Sequence, residues 1–470
     1  MFNQVVSSVN NVLWGEGQVL IYMLLLAGGW FTFRLGFVQL RHFGHMFSLL
    51  KNSTTADKSG ISSFQALCTS LSARVGTGNL AGVAIAISLG GAGAIFWMWV
   101  IALLGMATGF AESLLGQVYK VRDSNGEFRG GPAYYIQQGL GLRWFGILFS
   151  ICLLFGYTFV FSATQANTVA DALNYAYDFP VLNTGIVITV LAALVIMGGL
   201  RAIARFSEIV VPVMGLAYLV AAVGITLYNF DAVPGVLSDI VRSAFGLEEA
   251  AAGTFGAAIK NGIQRGLYSN EAGTGSVPQA AASASPTPNH PASQGYIQML
   301  GVFFDTIVLC TCTAIIILLA GTPSGNEMEG IRLTQDAMSS HIGSYGIDFV
   351  SVAISLFAFT SIVANYAYAE SNLHLFKLDT KPGRLALMFV FLSMMLWGTT
   401  QELTHVWAAA DMAFGLMAVI NIVAIVLLTP TILSISKDYS IKRQRSTSLN
   451  YQPGDCDIQG SSESGIWKDK

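Results

Sequence analysis

Apolar stretches long enough to cross a bilayer recur along the whole chain, and nothing else in the sequence constrains the fold as tightly. A spanning helix needs about 20 predominantly apolar residues, with allowance for tilt or interruption. Eleven such stretches can be drawn, at 18–35, 64–89, 93–119, 145–170, 183–200, 208–229, 255–283, 295–320, 348–370, 385–400 and 404–430. Only 11% of the residues are charged, where a soluble domain carries roughly 25%. The expected fold class is therefore an all-α polytopic membrane protein with about eleven transmembrane helices. The net charge of −3 says nothing about nucleic acid, but neither a basic stripe nor an RNA-binding motif is visible, so no nucleic-acid partner is expected.

Lysine and arginine alternate sharply between the connecting segments. Segments 34–60, 120–143, 201–205, 371–384 and 431–445 hold 17 of them, whereas the alternate segments hold only Arg242 and Arg332. Basic loops stay on the cytoplasmic side, so the N-terminus is expected outside and the C-terminus in the cytoplasm. Residues 1–17 contain no lysine or arginine and the first apolar run lacks a cleavage pattern, so no cleavable signal peptide is expected. Four cysteines lie in apolar runs and Cys456 in a polar tail. None has zinc-ligand spacing, and all five are read as reduced thiols.

Two of the apolar runs are broken. The second is interrupted by Ser72-Ala73-Arg74-Val75-Gly76-Thr77-Gly78-Asn79-Leu80-Ala81-Gly82, and the seventh by Arg265-Gly266-Leu267-Tyr268-Ser269-Asn270-Glu271-Ala272-Gly273-Thr274-Gly275-Ser276. Each glycine costs a helix roughly 1 kcal/mol, and the neighbouring hydroxyls and amides compete for the backbone. At membrane depth such a break is tolerated only where it is buried in protein or lines a cavity, which makes it a pointer to a binding site. Close helix packing is the other use of Gly76, Gly78 and Gly82. A nucleotide fingerprint does not fit, since the spacing is G-x-G-x-x-x-G with no strand before it. The two broken helices lie five spans apart and so run in opposite directions. This predicts an inverted five-plus-five repeat, residues 63–229 and 230–430, with an extra N-terminal helix and loop at 1–62 and a polar cytoplasmic tail at 431–470 whose end is expected to be disordered.

The sequence resembles the alanine/glycine:cation symporter family, whose members have the LeuT-type fold. The resemblance rests on Ser63-Phe64-Gln65-Ala66-Leu67, on Gly76-Thr77-Gly78-Asn79-Leu80-Ala81-Gly82-Val83-Ala84 and on Ala94-Ile95-Phe96-Trp97-Met98-Trp99-Val100. It extends through Gly105-Met106-Ala107-Thr108, Gly130-Gly131-Pro132-Ala133-Tyr134-Tyr135 and Ser269-Asn270-Glu271-Ala272-Gly273, over about residues 10–430. It implies Na⁺-coupled symport of a small neutral amino acid across a bacterial inner membrane, with no cofactor beyond the coupling ion.

A zwitterion and a cation together need both kinds of broken end: free N–H groups for an anion and free carbonyls for a cation. The N–H groups at Thr77, Gly78 and Asn79 are candidates for the substrate carboxylate. Carbonyls at Ser72 and Val75 are candidates for Na⁺, and those between Ser269 and Gly273 for the substrate ammonium, with Gly273 and Thr274 lining the pocket. Adjacent hydroxyls at Thr360 and Ser361 match, by the resemblance, the sodium site of LeuT-type transporters; bonding to their own helix backbone is the alternative. The resemblance also implies a substrate contact for Gln165, which can equally serve as an interhelical bond, as can Asn167 in the same span. Asn365 stands where family members commonly carry tryptophan, which implies a wider, more polar pocket.

Ionisable groups at this depth are functional candidates by default. Asp305, near the middle of the eighth span with Gln298 one heptad before it, either completes a cation site or carries a proton. Glu271 is read as hydrogen-bonding the backbone of its break with help from Arg265 or Arg74, or else as a proton or cation ligand. Glu112, Glu370 and Asp411 are read as structural groups near helix ends. His290, His374 and His405 show no metal spacing, and His42 and His45 belong to a basic loop expected to face lipid headgroups. Proton-coupled symport is the alternative function and an intramembrane enzyme a weaker one. No Walker A or H-E-x-x-H pattern occurs, and neither break contains a histidine.

Overall fold

The computed structural model describes residues 2–55, 60–247, 255–321, 330–463 and 465–467. Apart from a two-stranded ribbon, Val121–Arg122 against Phe128–Arg129, and one isolated bridge, the regular structure among the described residues is helical. Six helices there are long and apolar enough to cross a membrane: Gly93–Val118, Arg143–Tyr177, Gly199–Tyr228, Pro291–Ala320, Tyr345–Phe376 and Leu403–Leu427. Val19–Arg34, Gly78–Gly90 and Val181–Ile196 are apolar but shorter. The second and seventh apolar runs are absent from the long set because each is cut in two. Ser63–Arg74 is separated from Val83–Gly90, and Phe255–Asn270 from Val277–Ala282.

Apolar surface faces outward as well as inward. Helix Gly199–Tyr228 leaves Ile209, Val213, Leu216 and Val220 between 62% and 68% exposed, while Val211, Met214, Tyr218 and Ala222 are buried. In a bilayer the exposed face costs nothing, and association depends on close packing instead. Gly262 and Gly266, four residues apart, let Phe255–Asn270 press against Gly93–Val118. A Cβ at Gly262 would lie 2.3 Å from the Ala94 carbonyl oxygen, and one at Gly266 would lie 2.4 Å from Ile101 Cγ2.

The lysine- and arginine-rich loops meet at one end of the molecule. Arg129 pairs with Asp123 at 3.0 Å, Arg384 with Glu370 at 3.2 Å and Arg201 with Glu127 at 3.5 Å. The outer ends of the two broken helices also join there: Ile61 N–H donates to the Ser283 carbonyl and Ser285 N–H to that of Ile61, at 3.0 and 2.9 Å.

Two expectations need correction. The tail is not a polar, disordered end, because Thr429–Gln444 is a helix that buries Ile432, Ile435 and Tyr439. Beyond it, Tyr451 N–H donates to the Asn289 carbonyl at 2.8 Å and Tyr119 hydroxyl to that of Gln459 at 2.6 Å. Tyr451 and Trp467 pack together, both buried, and supply apolar area that the tail's overall polarity conceals. His42 and His45 turn inward rather than to headgroups, onto the hydroxyls of Tyr296 and Tyr439 at 2.7 and 2.9 Å. Burial, reinforced by the Arg443 guanidinium, pushes both imidazoles down to about 4. Residues ahead of the first apolar run form a short amphipathic helix of their own, Phe2–Leu13. Asn10 and Trp14 fasten it to the carbonyls of Ala408 and Asp411 at 2.8 and 3.2 Å.

The seat of the second broken helix gives a first prediction. Gly262→Ala drives a methyl group into the Ala94 carbonyl and should cost about 1–3 kcal/mol, seen as a lower melting temperature of the purified protein in detergent. An unchanged melting temperature would mean that the two helices are not in this contact.

Candidate functional site

The first break is closed by side chains. Its helix starts in a capping box between Ser62 and Gln65 and ends where Val75 leaves helical geometry at ψ 81°. Gly76 must be glycine here, since a Cβ would fall 2.3 Å from Ser361 Oγ. Asn79 Oδ1 accepts from Gly76 N–H and Gln165 Oε1 from Thr77 N–H, both at 3.1 Å. The chain then passes through a π-helical turn, Gly78–Gly82, and the Thr334 hydroxyl donates to the Leu80 carbonyl at 3.1 Å. Gln165 therefore reaches the break as expected, but as an acceptor for one of the N–H groups assigned to the substrate.

In the second break Glu271, Gly273 and Gly275 all have positive φ, at 55°, 91° and 84°. The carboxylate that bonds its backbone is not Glu271 but Glu112, which accepts from Gly273 N–H at 3.2 Å and from Asn421 at 2.8 Å. Asn421 also donates to the Gly273 carbonyl at 3.0 Å. Glu112 is fully buried and serves as a structural group on the break itself. Glu271 Oε2 instead accepts from Tyr157 and Ser276 hydroxyls at 2.9 and 2.5 Å. Arg265 does not assist it, being paired with Asp411 at 2.5 Å and lying 4.9 Å from the Trp407 ring. Asp411 is thereby a buried ion-pair partner.

A small cavity of about 10 Å³, room for about one water, lies between the breaks. Gln165, Asn365, Glu271 and Arg74 give it polar walls, and Phe161, Tyr268 and Phe414 give it aromatic ones. Gly273 and Thr274 are not on its wall. The Thr274 hydroxyl is turned back onto the Glu271 carbonyl at 2.6 Å, and Gly273 onto Glu112. Asn167 points away as well, donating to the Gly398 and Gln401 carbonyls as an interhelical bond.

Asp305 joins the two breaks. It sits in a π-helical stretch, Phe303–Cys310, and is fully buried. Its Oδ1 accepts from Asn79 of the first break at 2.8 Å, and its Oδ2 from Ser269 of the second at 2.6 Å and Thr306 at 2.7 Å. Of the four residues expected to hold a cation, Ser361 approaches Ser72 and Val75. Ser361 Oγ lies 2.7 Å from the Ser72 carbonyl oxygen and 3.5 Å from that of Val75. Both hydroxyls also donate to their own helix at the Phe357 carbonyl, Thr360 at 2.8 Å and Ser361 at 3.0 Å. Ser207, which sequence reasoning missed, meets the Ser72 hydroxyl at 2.8 Å. Neutral oxygens drawn together from two helices are the donor set that a hard monovalent cation takes.

Residues 1–452 match the sodium:alanine symporter family. The chain belongs to the sodium:alanine symporter family. It is 44% identical over 470 residues to the amino-acid carrier protein AlsT of Bacillus subtilis, covering 100% of this chain and 98% of that protein. It is 42% identical to the probable sodium/glutamine symporter GlnT of the same organism, over 94% of this chain and 92% of the relative. To the sodium/alanine symporter AgcS of Methanococcus maripaludis it is 36% identical, over 93% and 97%. Family membership and the apolar helices make this an integral membrane transport protein, which points away from an enzyme.

Replacing Asp305 tests how far it holds a symporter of this build together. Asp305→Leu strands the Asn79 amide and two hydroxyls without an acceptor and should cost about 3–5 kcal/mol. Asp305→Asn keeps an acceptor and should lose less than half of that. Thermal melts in detergent compare them, and equal, small losses for both would remove Asp305 from its joining role.

Proposed function

We propose that this family member is a secondary active transporter that couples Na⁺ to uptake of a small neutral amino acid by alternating access. In this reading the chain has eleven spans in a LeuT-type arrangement, two inverted five-helix repeats at 63–229 and 230–430 after an extra N-terminal helix. Its N-terminus is outside and its tail cytoplasmic, in keeping with the alternating lysine and arginine bias. The observation that carries the functional reading is the Ser361 hydroxyl within 2.7 Å of the Ser72 carbonyl in the first break. A Na⁺ ion held by Ser361, Thr360 and the carbonyls of Ser72 and Val75 would fix the shape of the break. It would thereby raise the affinity of the Thr77, Gly78 and Asn79 N–H groups for a carboxylate. Gln165 would yield Thr77 N–H to the substrate, and the substrate ammonium would face the carbonyls between Ser269 and Gly273.

The substrate's side chain would point at the aromatic walls and Asn365. The family name and AgcS support alanine-sized cargo, whereas an amide at position 365 and the likeness to GlnT favour room for glutamine. Proton coupling is the second reading. Glu112, Glu271 and Asp305 are all buried, take their hydrogen bonds from neutral donors and are not ion-paired among the described residues, and a carboxylate at membrane depth is a candidate proton or cation site.

Uptake of labelled alanine, glycine and glutamine into proteoliposomes separates these readings. An inward Na⁺ gradient should drive accumulation, and a proton gradient alone should not. Ser361→Ala should raise the Na⁺ concentration for half-maximal uptake by about 10-fold, the equivalent of one modest ligand. Accumulation driven by the proton gradient would move the coupling role to the buried carboxylates, and gradient-independent flux would contradict symport altogether.

A further inference from the structure

Arg74 is the last residue of Ser63–Arg74, and side chains on a helix lean back toward its N-terminal turns. Its guanidinium accordingly lies on the Ser63 side of the break, with Nη1 against Gly301, where a Cβ would be only 2.6 Å away. It is 2% exposed. Its one hydrogen bond, Nη1 to the Gln298 carbonyl, is at the 3.5 Å limit of contact, and Nε and Nη2 have no partner. Those two N–H groups form the parallel edge of the guanidinium, the fork that grips a carboxylate bidentately.

The surroundings repeat the pattern. Gln298 and Gln294, one turn apart on Pro291–Val302, are fully buried, and neither amide has a partner for its oxygen or its nitrogen. Buried polar groups without partners are few in native proteins, and an unpaired buried guanidinium is among the costliest. The three nearby carboxylates do not answer it. Glu112, Glu271 and Asp305 are engaged by Gly273 and Asn421, by Tyr157 and Ser276, and by Asn79, Ser269 and Thr306.

We propose that Arg74, with the Gln298 turn of Pro291–Val302 against it, is an anion subsite that takes the carboxylate of the amino acid as it leaves the break toward the basic end of the molecule. The subsite is distinct from the Thr77 N–H group held by Gln165 and rests on the proposed transport function. Arg74 lines the same small cavity as Gln165, the residue that holds the Thr77 N–H group, so the two sets of donors are neighbours.

The test is Na⁺-dependent transport in membrane vesicles of both orientations. Arg74→Lys keeps the charge and loses the fork. It should raise the half-saturating substrate concentration at the basic face at least ~10-fold while shifting that at the opposite face and that of Na⁺ less than about twofold. Equal shifts at both faces, or none, overturn the subsite. Should the Arg74 variant fail to fold, Gln298→Leu decides: a smaller shift confined to the same face supports the subsite and no shift overturns it. Replacing chloride by gluconate should leave wild-type transport unchanged, whereas a loss matching that of Arg74→Lys would assign the fork to a free inorganic anion. A wild-type protein that moves no amino acid overturns the proposed function itself. A wild type that transports beside a normal Arg74→Lys overturns only the subsite.

Discussion

A membrane helix that is broken leaves N–H and C=O groups which no water is present to satisfy, and each costs several kcal/mol if left alone. This protein carries two such breaks, and much of its buried polar chemistry is organised around supplying their partners. Gln165, Asn79 and Thr334 serve the first, Glu112, Asn421 and Thr274 the second. These side chains come from helices far apart in sequence, so the breaks dictate which helices must meet. Asp305 is the junction, because one carboxylate takes hydrogen bonds from both breaks at once. The two breaks also touch directly, through Asn79 with Ser269 and Thr77 with Tyr268, both at 3.4 Å.

The same requirement explains the packing. Partners must be fully buried to be effective, which demands close helix approach, and the glycines provide it. Gly262 and Gly266 bring the second broken helix against Gly93–Val118, the helix that carries Glu112, and Gly76 admits the Ser361 hydroxyl to the first break. Above the cavity, Arg265, Asp411 and Trp407 form a buried polar and aromatic layer, to which the N-terminal helix is attached through Trp14. At the other end the basic loops, the outer ends of both broken helices and the tail are fastened together.

Much of this is legible in the sequence, for a physical reason. A glycine–hydroxyl–glycine interruption within an apolar run is a local signal, and the helix geometry bears it out at both positions. The convergence of Ser361 with Ser72 and Val75 was also within reach, through the family's pattern. What the sequence conceals are single polar residues on otherwise apolar helices. Glu112, Asn421, Ser207 and Thr334 look like any isolated polar residue until the partner helix is known, and Glu112 and Glu271 exchange roles for that reason. Gly273 and Thr274 were misplaced because positive φ at Glu271 and Gly273 turns the segment away from the cavity. The tail misled because its burial depends on a few side chains, Tyr451 and Trp467 among them, in a segment whose composition is polar.

These arrangements make the first break a shared element. In the proposed reading its carbonyls at Ser72 and Val75 take Na⁺ with the Ser361 hydroxyl and its N–H groups take the carboxylate, so occupancy of one should alter affinity at the other. Equilibrium binding to the purified protein, without any gradient, measures this most directly. The account predicts that Na⁺ tightens alanine binding by roughly 5–150-fold and that alanine tightens Na⁺ binding by the same factor, as thermodynamic linkage requires. Alanine binding that is indifferent to Na⁺ would contradict it.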